Sequence, residues 1–269
     1  MATPVVDVLR QIAESRRAQV EEMKRRVPGH VLRERLPGGR PAGRMERALR
    51  RPDSRAPLRI IAEFKRASPS KGQLNLAADP VDYARAYQDA GASAVSLVTE
   101  PSRFAGDLGW IDRVRPVVTR PILAKDFIVD SYQVLDAAVR GADAVLLIAG
   151  ILSGVQLGRL ITEARLLGLD ALVEAHGEEE LLTALHAGAT LVGINNRDLR
   201  TLEVDPETVF RLLDRVPPLV TAVAESGVST PDQISRLRAS RADAVLIGEA
   251  LMTAADPRAA LAALCAAAG

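Results

Sequence analysis

The chain reads as an α/β protein, a (β/α)8 barrel with an N-terminal helical extension, on the strength of three observations. Apolar runs of strand length alternate eight times with amphipathic helical patterns across residues 59–269. A fourfold echo, Ala90-Gly91-Ala92-Ser93-Ala94-Val95, Arg140-Gly141-Ala142-Asp143-Ala144-Val145, Ala187-Gly188-Ala189-Thr190-Leu191-Val192 and Ser240-Arg241-Ala242-Asp243-Ala244-Val245, closes a helix and opens a strand each time. Its spacing of about 50 residues matches two βα units per echo. Finally, the chain is 48% hydrophobic but only 3% aromatic, so its core must be built from Val, Ile, Leu and Ala, the residues that fill parallel strands and their covering helices. A doubly wound open sheet is the lesser alternative. No Gly-x-Gly-x-x-Gly follows the first strand, which weighs against a dinucleotide fold.

Taken in order, Val5, Leu9, Ile12, Val20 and Met23 recur at helical spacing, and Pro28-Gly29 stops that helix. Residues 37–57 are rich in Pro, Gly and Arg and predict a connector with one short helix near 45–49. Residues 1–58 are therefore an extension packed on a barrel of residues 59–269. The barrel strands are predicted at 59–65, 121–125, 170–174 and 219–225, with the echoes opening the other four. Between them lie helical patterns such as Pro80-Val81-Asp82-Tyr83-Ala84-Arg85-Ala86-Tyr87. Gly91, Gly141 and Gly188 fall where a helix end needs a left-handed residue.

A formal net charge of +1 provides no global field to recruit nucleic acid or an acidic membrane, so an anion must be held locally. The single Cys265 has no disulfide partner, and His30, His176 and His186 lack a surrounding ligand set. Capping or surface roles are expected for the histidines, and neither metal nor cofactor is called for. Asp7, Arg10 and Gln11 interrupt the N-terminal apolar segment, and no run approaches the ~18 apolar residues of a membrane span. A cytoplasmic protein is expected. Lys24-Arg25-Arg26 reads as a solvated helix end.

In a parallel barrel the C-terminal strand ends surround one mouth, so polar residues far apart in sequence converge there. The first strand ends in Glu63-Phe64-Lys65, whose period of two puts both charges on one face and Phe64 on the other. Later strands end in Ser96, Thr99 and Glu100, in Lys125 and Asp126, in Glu174, in Asn195, Asn196 and Arg197, in Glu225, Ser226 and Gly227, and in Gly248 and Glu249. Glu100, Asp126 and Glu225 are explained as charges that merely terminate strands. Lys65, Lys125 and Glu174 together are not, because burying such a set near one axis is costly without pairing or a charged substrate. The small residues ending the last two strands, with Ser68 and Lys71 on the first loop, predict a phosphate site.

These residues bring the chain close to a known family. The segments Glu63-Phe64-Lys65-Arg66-Ala67-Ser68-Pro69-Ser70-Lys71-Gly72, Ser96-Leu97-Val98-Thr99-Glu100 with Phe104 and Gly106, Lys125-Asp126-Phe127-Ile128, Glu174-Ala175-His176, Ile194-Asn195-Asn196-Arg197-Asp198-Leu199 and Glu225-Ser226-Gly227 resemble those of the indole-3-glycerol phosphate synthases of tryptophan biosynthesis. The resemblance implies conversion of 1-(2-carboxyphenylamino)-1-deoxyribulose 5-phosphate to indole-3-glycerol phosphate, with loss of carbon dioxide and water and without cofactor or metal. It further implies Lys125 as general acid at the ribulose carbonyl and Glu174 as general base. Lys65 would contact the substrate carboxylate or share acid duty, Glu63 would orient the lysines, and Asn195 would hydrogen-bond the reacting region. Arg197 would brace the site, Ser226, Gly227, Gly248 and Glu249 would hold the phosphate together with Ser68, and Phe104 and Phe127 would wall the anthranilate ring. Ser96 is carried over as a substrate contact.

The chemistry suits these residue types. A lysine is protonated at neutral pH and can stabilise charge building on the ribulose oxygen, and a Lys/Glu pair can deliver one proton and remove another during dehydration. A Schiff-base aldolase is the alternative, but its lysine must be a free amine, which neighbouring carboxylates disfavour. A catalytically silent phosphate-sugar-binding barrel is the other.

Overall fold

The computed structural model describes residues 8–39 and 41–269, so Val5 and Asp7 of the expected N-terminal helix lie outside the described residues. Eight strands, β1 (Arg59–Phe64), β2 (Ala94–Val98), β3 (Ile122–Lys125), β4 (Ala144–Ile148), β5 (Asp170–Ala175), β6 (Leu191–Asn195), β7 (Thr221–Glu225) and β8 (Ala244–Ile247), close into a barrel. Each pairs in parallel with the next, and β8 returns to β1 through Arg59↔Ala244 to Ala62↔Ile247. Helices including Pro80–Asp89, Ser131–Val139, Gly154–Leu166, Glu178–His186 and Pro231–Arg238 cover the outside. The glycines expected to end helices do so, with φ of 101° at Gly91, 91° at Gly141 and 89° at Gly188.

Strand alternation sorts the core into two compartments. Phe64, Leu97, Val145, Val173 and Ile247 point outward beneath the helices, where Phe64 meets Tyr83 and Trp110 edge-on. Ile61, Ala94, Leu123, Leu146, Leu172, Leu191, Val223 and Leu246 fill the barrel interior. Two residues further along the same faces come Glu63, Lys125, Glu174 and Glu225, which is why charge gathers at the mouth.

The extension packs against both ends of this interior. Helix α1 (Val8–Arg26) sends Leu9 and Ile12 into the inner cluster beside Phe127 and Ile148 at the mouth. Helix α2 (Gly29–Glu34) seats Leu32 against Tyr132 and Leu135 on the flank. Helix α3 (Arg44–Leu49) plugs the opposite end, where Met45 and Leu49 join Ile61, Ala144 and Ala244. Its first turn is held by the Asp170 carboxylate, which accepts from the backbone N–H of Gly43 (2.5 Å), Met45 (2.7 Å) and Glu46 (3.0 Å).

Two local features differ from the sequence-based expectation. The loop after β1 contains a two-residue antiparallel hairpin, Ala67–Ser68 with Gly72–Gln73. Arg66 fixes its base by donating to the Ala78 carbonyl at 2.8 Å while lying 4.9 Å from the Trp110 ring. The seventh strand starts at Thr221 instead of 219 because Leu219, after two prolines, is exposed.

Candidate active site

At the mouth lies a cavity of about 690 Å³ whose floor is a cluster of buried charges. Lys125, the last residue of β3, aims its ammonium at three carboxylates from three other strands. Nζ is 2.8 Å from Glu225 Oε2, 3.4 Å from Glu63 Oε2 and 3.9 Å from Glu174 Oε2. Lys65 completes the floor, with Nζ 2.9 Å from Glu63 Oε1. The shared face expected of Glu63 and Lys65 is thus realised as an ion pair. Glycines make the room: a Cβ at Gly248 would collide with the Glu63 carboxylate, and one at Gly193 with that of Glu225.

Electrostatics in this enclosure follow from competition between burial and neighbours. Burial alone would raise the Glu63 carboxyl, but the ammonium groups of Lys125 and Lys65 outweigh it and hold the value at about 2. Burial would likewise discharge Lys125, but Glu225, Glu63 and Glu174 push it well above the ordinary lysine range. Glu174 goes the other way. Burial, then the charge of Glu225, raises it to about 8, against the pull of Lys125 and a hydrogen bond from Asn195.

Asn195, closing β6, donates from Nδ2 to Glu174 Oε1 at 2.9 Å and accepts the Arg197 backbone N–H at 3.0 Å through Oδ1. Its own carbonyl accepts a hydrogen bond at 2.8 Å from His176, which must therefore carry its proton on Nδ1. His176 also lies 3.8 Å from Asp198, so it braces the loop after β6 and is not the cap or surface residue expected.

The rim is built from loops. Ser226 and Gly227 both adopt positive φ, 63° and 75°, turning the chain sharply after β7 and bringing Ser226, Gly227 and Ser229 to the cavity wall. Gly248 and Glu249 follow β8 beside them. The Glu249 carboxylate lies 3.6 Å from Lys71 and 3.7 Å from Arg197, linking the loop after β1 to that after β6. Ser68 lines the same wall and accepts the Lys71 backbone N–H at 3.2 Å. Across the cavity stand Phe104 and Phe127, ring centroids 5.9 Å apart, with Val8, Leu9 and Ile12 of α1 and Leu199 completing an apolar side. Glu100 caps the short helix Pro101–Phe104, accepting from the N–H groups of Ser102, Arg103 and Phe104, and thereby presents Phe104.

The cavity thus brings together Glu63, Lys65, Ser68, Phe104, Lys125, Phe127, Glu174, Asn195, Arg197, Ser226, Gly227, Gly248 and Glu249. Ser96 is the exception. It pairs in register with Glu63 and Leu123, one inward-facing layer below the cavity-lining Val98, and is fully buried. Two supposed strand terminators also need correction. Glu225 is the nearest partner of Lys125, and Asp126 forms a buried ion pair with Arg16 of α1 at 2.8 Å while accepting from Thr99 Oγ1 at 3.0 Å. The part of α1 in the cavity wall was missed as well, although the run of Leu9 and Ile12 on one face signalled a docked helix.

A parallel barrel with a lysine–carboxylate cluster on its floor and small-residue turns after its last two strands defines a (β/α)8 enzyme acting on a phosphorylated small molecule. Among the described residues there is no cluster suited to a metal ion and no helix long and apolar enough to cross a membrane. The model of the indole-3-glycerol phosphate synthase family matches residues 9–264, and the chain belongs to that family. It is 46% identical over 256 residues to the indole-3-glycerol phosphate synthase of Parafrankia sp., covering 94% of this chain and 93% of that one. The enzyme of the same name from Syntrophobacter fumaroxidans is 44% identical over 256 residues, covering 95% and 96%. Among solved structures, 3-hexulose-6-phosphate synthase from Salmonella typhimurium superposes with a TM-score of 0.64 at 14% identity, over 78% of this chain and 98% of that one. The tryptophan synthase alpha chain from Legionella pneumophila gives 0.58 at 15%, over 83% and 95%. At such identities the structural likeness speaks for the barrel alone.

Proposed function

We propose that the chain carries out the indole-3-glycerol phosphate synthase reaction with Lys125 as the acid that closes the ring and Glu174 as the base that completes it. The substrate is 1-(2-carboxyphenylamino)-1-deoxyribulose 5-phosphate. Its phosphate sits against Ser226, Gly227, Gly248 and Ser68, with Arg197 and Lys71 adding positive charge. Its anthranilate ring lies against Phe104 and Phe127. The ring carbon bearing the carboxylate attacks the ribulose C2 carbonyl, and Lys125 donates a proton to that oxygen as the new carbon–carbon bond forms. Carbon dioxide then leaves and aromaticity returns. In the last step a proton goes to the departing hydroxyl, water is lost, and Glu174 takes the proton that the forming indole releases. Lys65 binds the substrate carboxylate and shares acid duty in that dehydration, Glu63 orients both lysines, and Asn195 orients Glu174.

One observation carries this assignment: an ammonium held charged among three buried carboxylates at the floor of the cavity. That environment supports an acid and opposes the free amine an aldolase needs. The +1 formal charge supports a substrate recruited locally, without nucleic acid or membrane. Residues 1–58 act as part of the catalytic unit of residues 59–269, as the cavity-lining Leu9 and Ile12 support. The test is turnover of the ribulose substrate followed by indole fluorescence, run beside borohydride treatment. Turnover without a trapped adduct on Lys125 is expected, and a reduced Schiff base at Lys125 would overturn the assignment in favour of an aldolase.

A further inference from the structure

Glu225 does not line the cavity, yet it is the nearest carboxylate to Lys125. Its other oxygen, Oε1, is buried with no hydrogen-bond partner, in space left by the missing side chain of Gly193 on the neighbouring strand. The fold therefore makes deliberate room for a fully buried acid beneath the site. Its surroundings can be counted strand by strand. Lys65 and Glu63 come from β1 and its end, Lys125 from β3, Glu174 from β5, the neutral Asn195 from β6 and Glu225 itself from β7. Fully ionised, the set has two positive and three negative charges, and Glu63 already engages both lysines. One carboxylate is in excess in a site with little water to dilute its charge.

From this arrangement we propose that Glu174 and Glu225 hold one proton between them in the unliganded enzyme, making Glu225 a positioning residue that keeps the proton on Glu174. Glu225 is the carboxylate in direct contact with the ammonium, and Glu174 carries the proton until the substrate rearranges the floor. The raised value of Glu174, about 8, whose largest causes are burial and then the charge of Glu225, points the same way. The proton exchanges with solvent through the cavity, which Glu174 lines. This deepens the role proposed for Glu174 and rests on it.

The sign follows from the required form of the base. With Glu174 needed ionised in the free enzyme, kcat/KM rises with pH through its pKa, and removing the neighbouring charge lets it ionise at lower pH. In Glu225→Gln the rising limb should move to lower pH by about one to three units, the size of shift that a charge a few ångströms away imposes on a carboxyl. Glu225→Asp, which keeps the charge, should leave the limb nearly in place. A purely structural loss would lower the rate at every pH without moving the limb. A second measurement is independent of turnover: difference infrared spectra of the folded, unliganded protein at neutral pH should show the carbonyl stretch of a protonated carboxyl in the wild type, absent from both Glu225→Gln and Glu174→Gln. If the wild-type limb survives in Glu174→Gln, the base assignment fails, while the infrared band still decides the shared proton. A band that persists in Glu225→Gln, or a limb that does not move in that variant, overturns the proposal.

Discussion

Arg16 and Asp126 join α1 to the strand end that carries Lys125, and breaking that link tests whether the extension is part of the site. Both side chains are only 5% exposed and meet at 2.8 Å, and Asp126 also accepts from Thr99 Oγ1 and the Phe127 backbone N–H. Arg16→Met removes the cation but keeps much of the apolar stem, leaving a buried carboxylate uncompensated. Such a loss costs about 3–5 kcal/mol, far more than the ~0–1 kcal/mol of an exposed pair. The double variant Arg16→Met/Asp126→Asn should recover part of it, because no orphan charge remains. Burial already pushes the Asp126 carboxyl up, against Arg16, so without Arg16 it should gain a proton more readily still. Stability lost in Arg16→Met should therefore shrink as pH falls through that raised value, where the protonated acid no longer carries an unpaired charge. Since Val8, Leu9 and Ile12 of the same helix line the cavity, KM should rise more than kcat falls. Urea unfolding of the single and double variants, with steady-state kinetics on each, measures both effects. Strictly additive losses, or an unchanged KM alongside lost stability, would refute the coupling of this helix to the substrate site.

Other outcomes follow from the floor and rim. Lys125→Ala should lower kcat by about 100- to 10,000-fold with KM little changed, as steady-state indole fluorescence would show; near-normal kcat removes Lys125 from its role. Ser226→Ala should chiefly raise KM, because the positive-φ turn at the rim is kept while a hydroxyl is lost. Gly248→Ala puts a Cβ against the Glu63 carboxylate, which must shift away from both lysines; kcat should fall well beyond any change in melting temperature, and equal kinetics would show that Glu63 does not orient them.

What was legible in the sequence tracks the physics of strands. Periodicity located all eight strands, and because parallel strand ends face one mouth, Lys65, Lys125, Glu174 and Asn195 could be brought together across more than a hundred residues. Depth within the mouth was not legible. Ser96 and Val98 share the inward face, yet only Val98 lines the cavity while Ser96 is fully buried. Glu225 looked like any charge closing a strand, since its meaning depends on an ammonium 100 positions away and on a glycine in a different strand. The Arg16–Asp126 pair and the bracing of Asn195 by His176 were hidden for the same reason: each is a meeting of distant elements with no local pattern. The short helix of α3 could be foreseen, but not that Met45 and Leu49 would stopper the barrel base.

That stopper has a consequence for how the molecule is assembled during synthesis. The segment leaving the ribosome early can reach its final seat only when the last strands exist, since the backbone of Arg51 bonds the Asp243 carboxylate and the Leu58 N–H reaches the carbonyl of Ala268. Residues 51–58, which tie the stopper to the barrel, are thus among the last to settle, and premature release of the chain before the helix Pro257–Ala268 would leave the lower opening without these anchors.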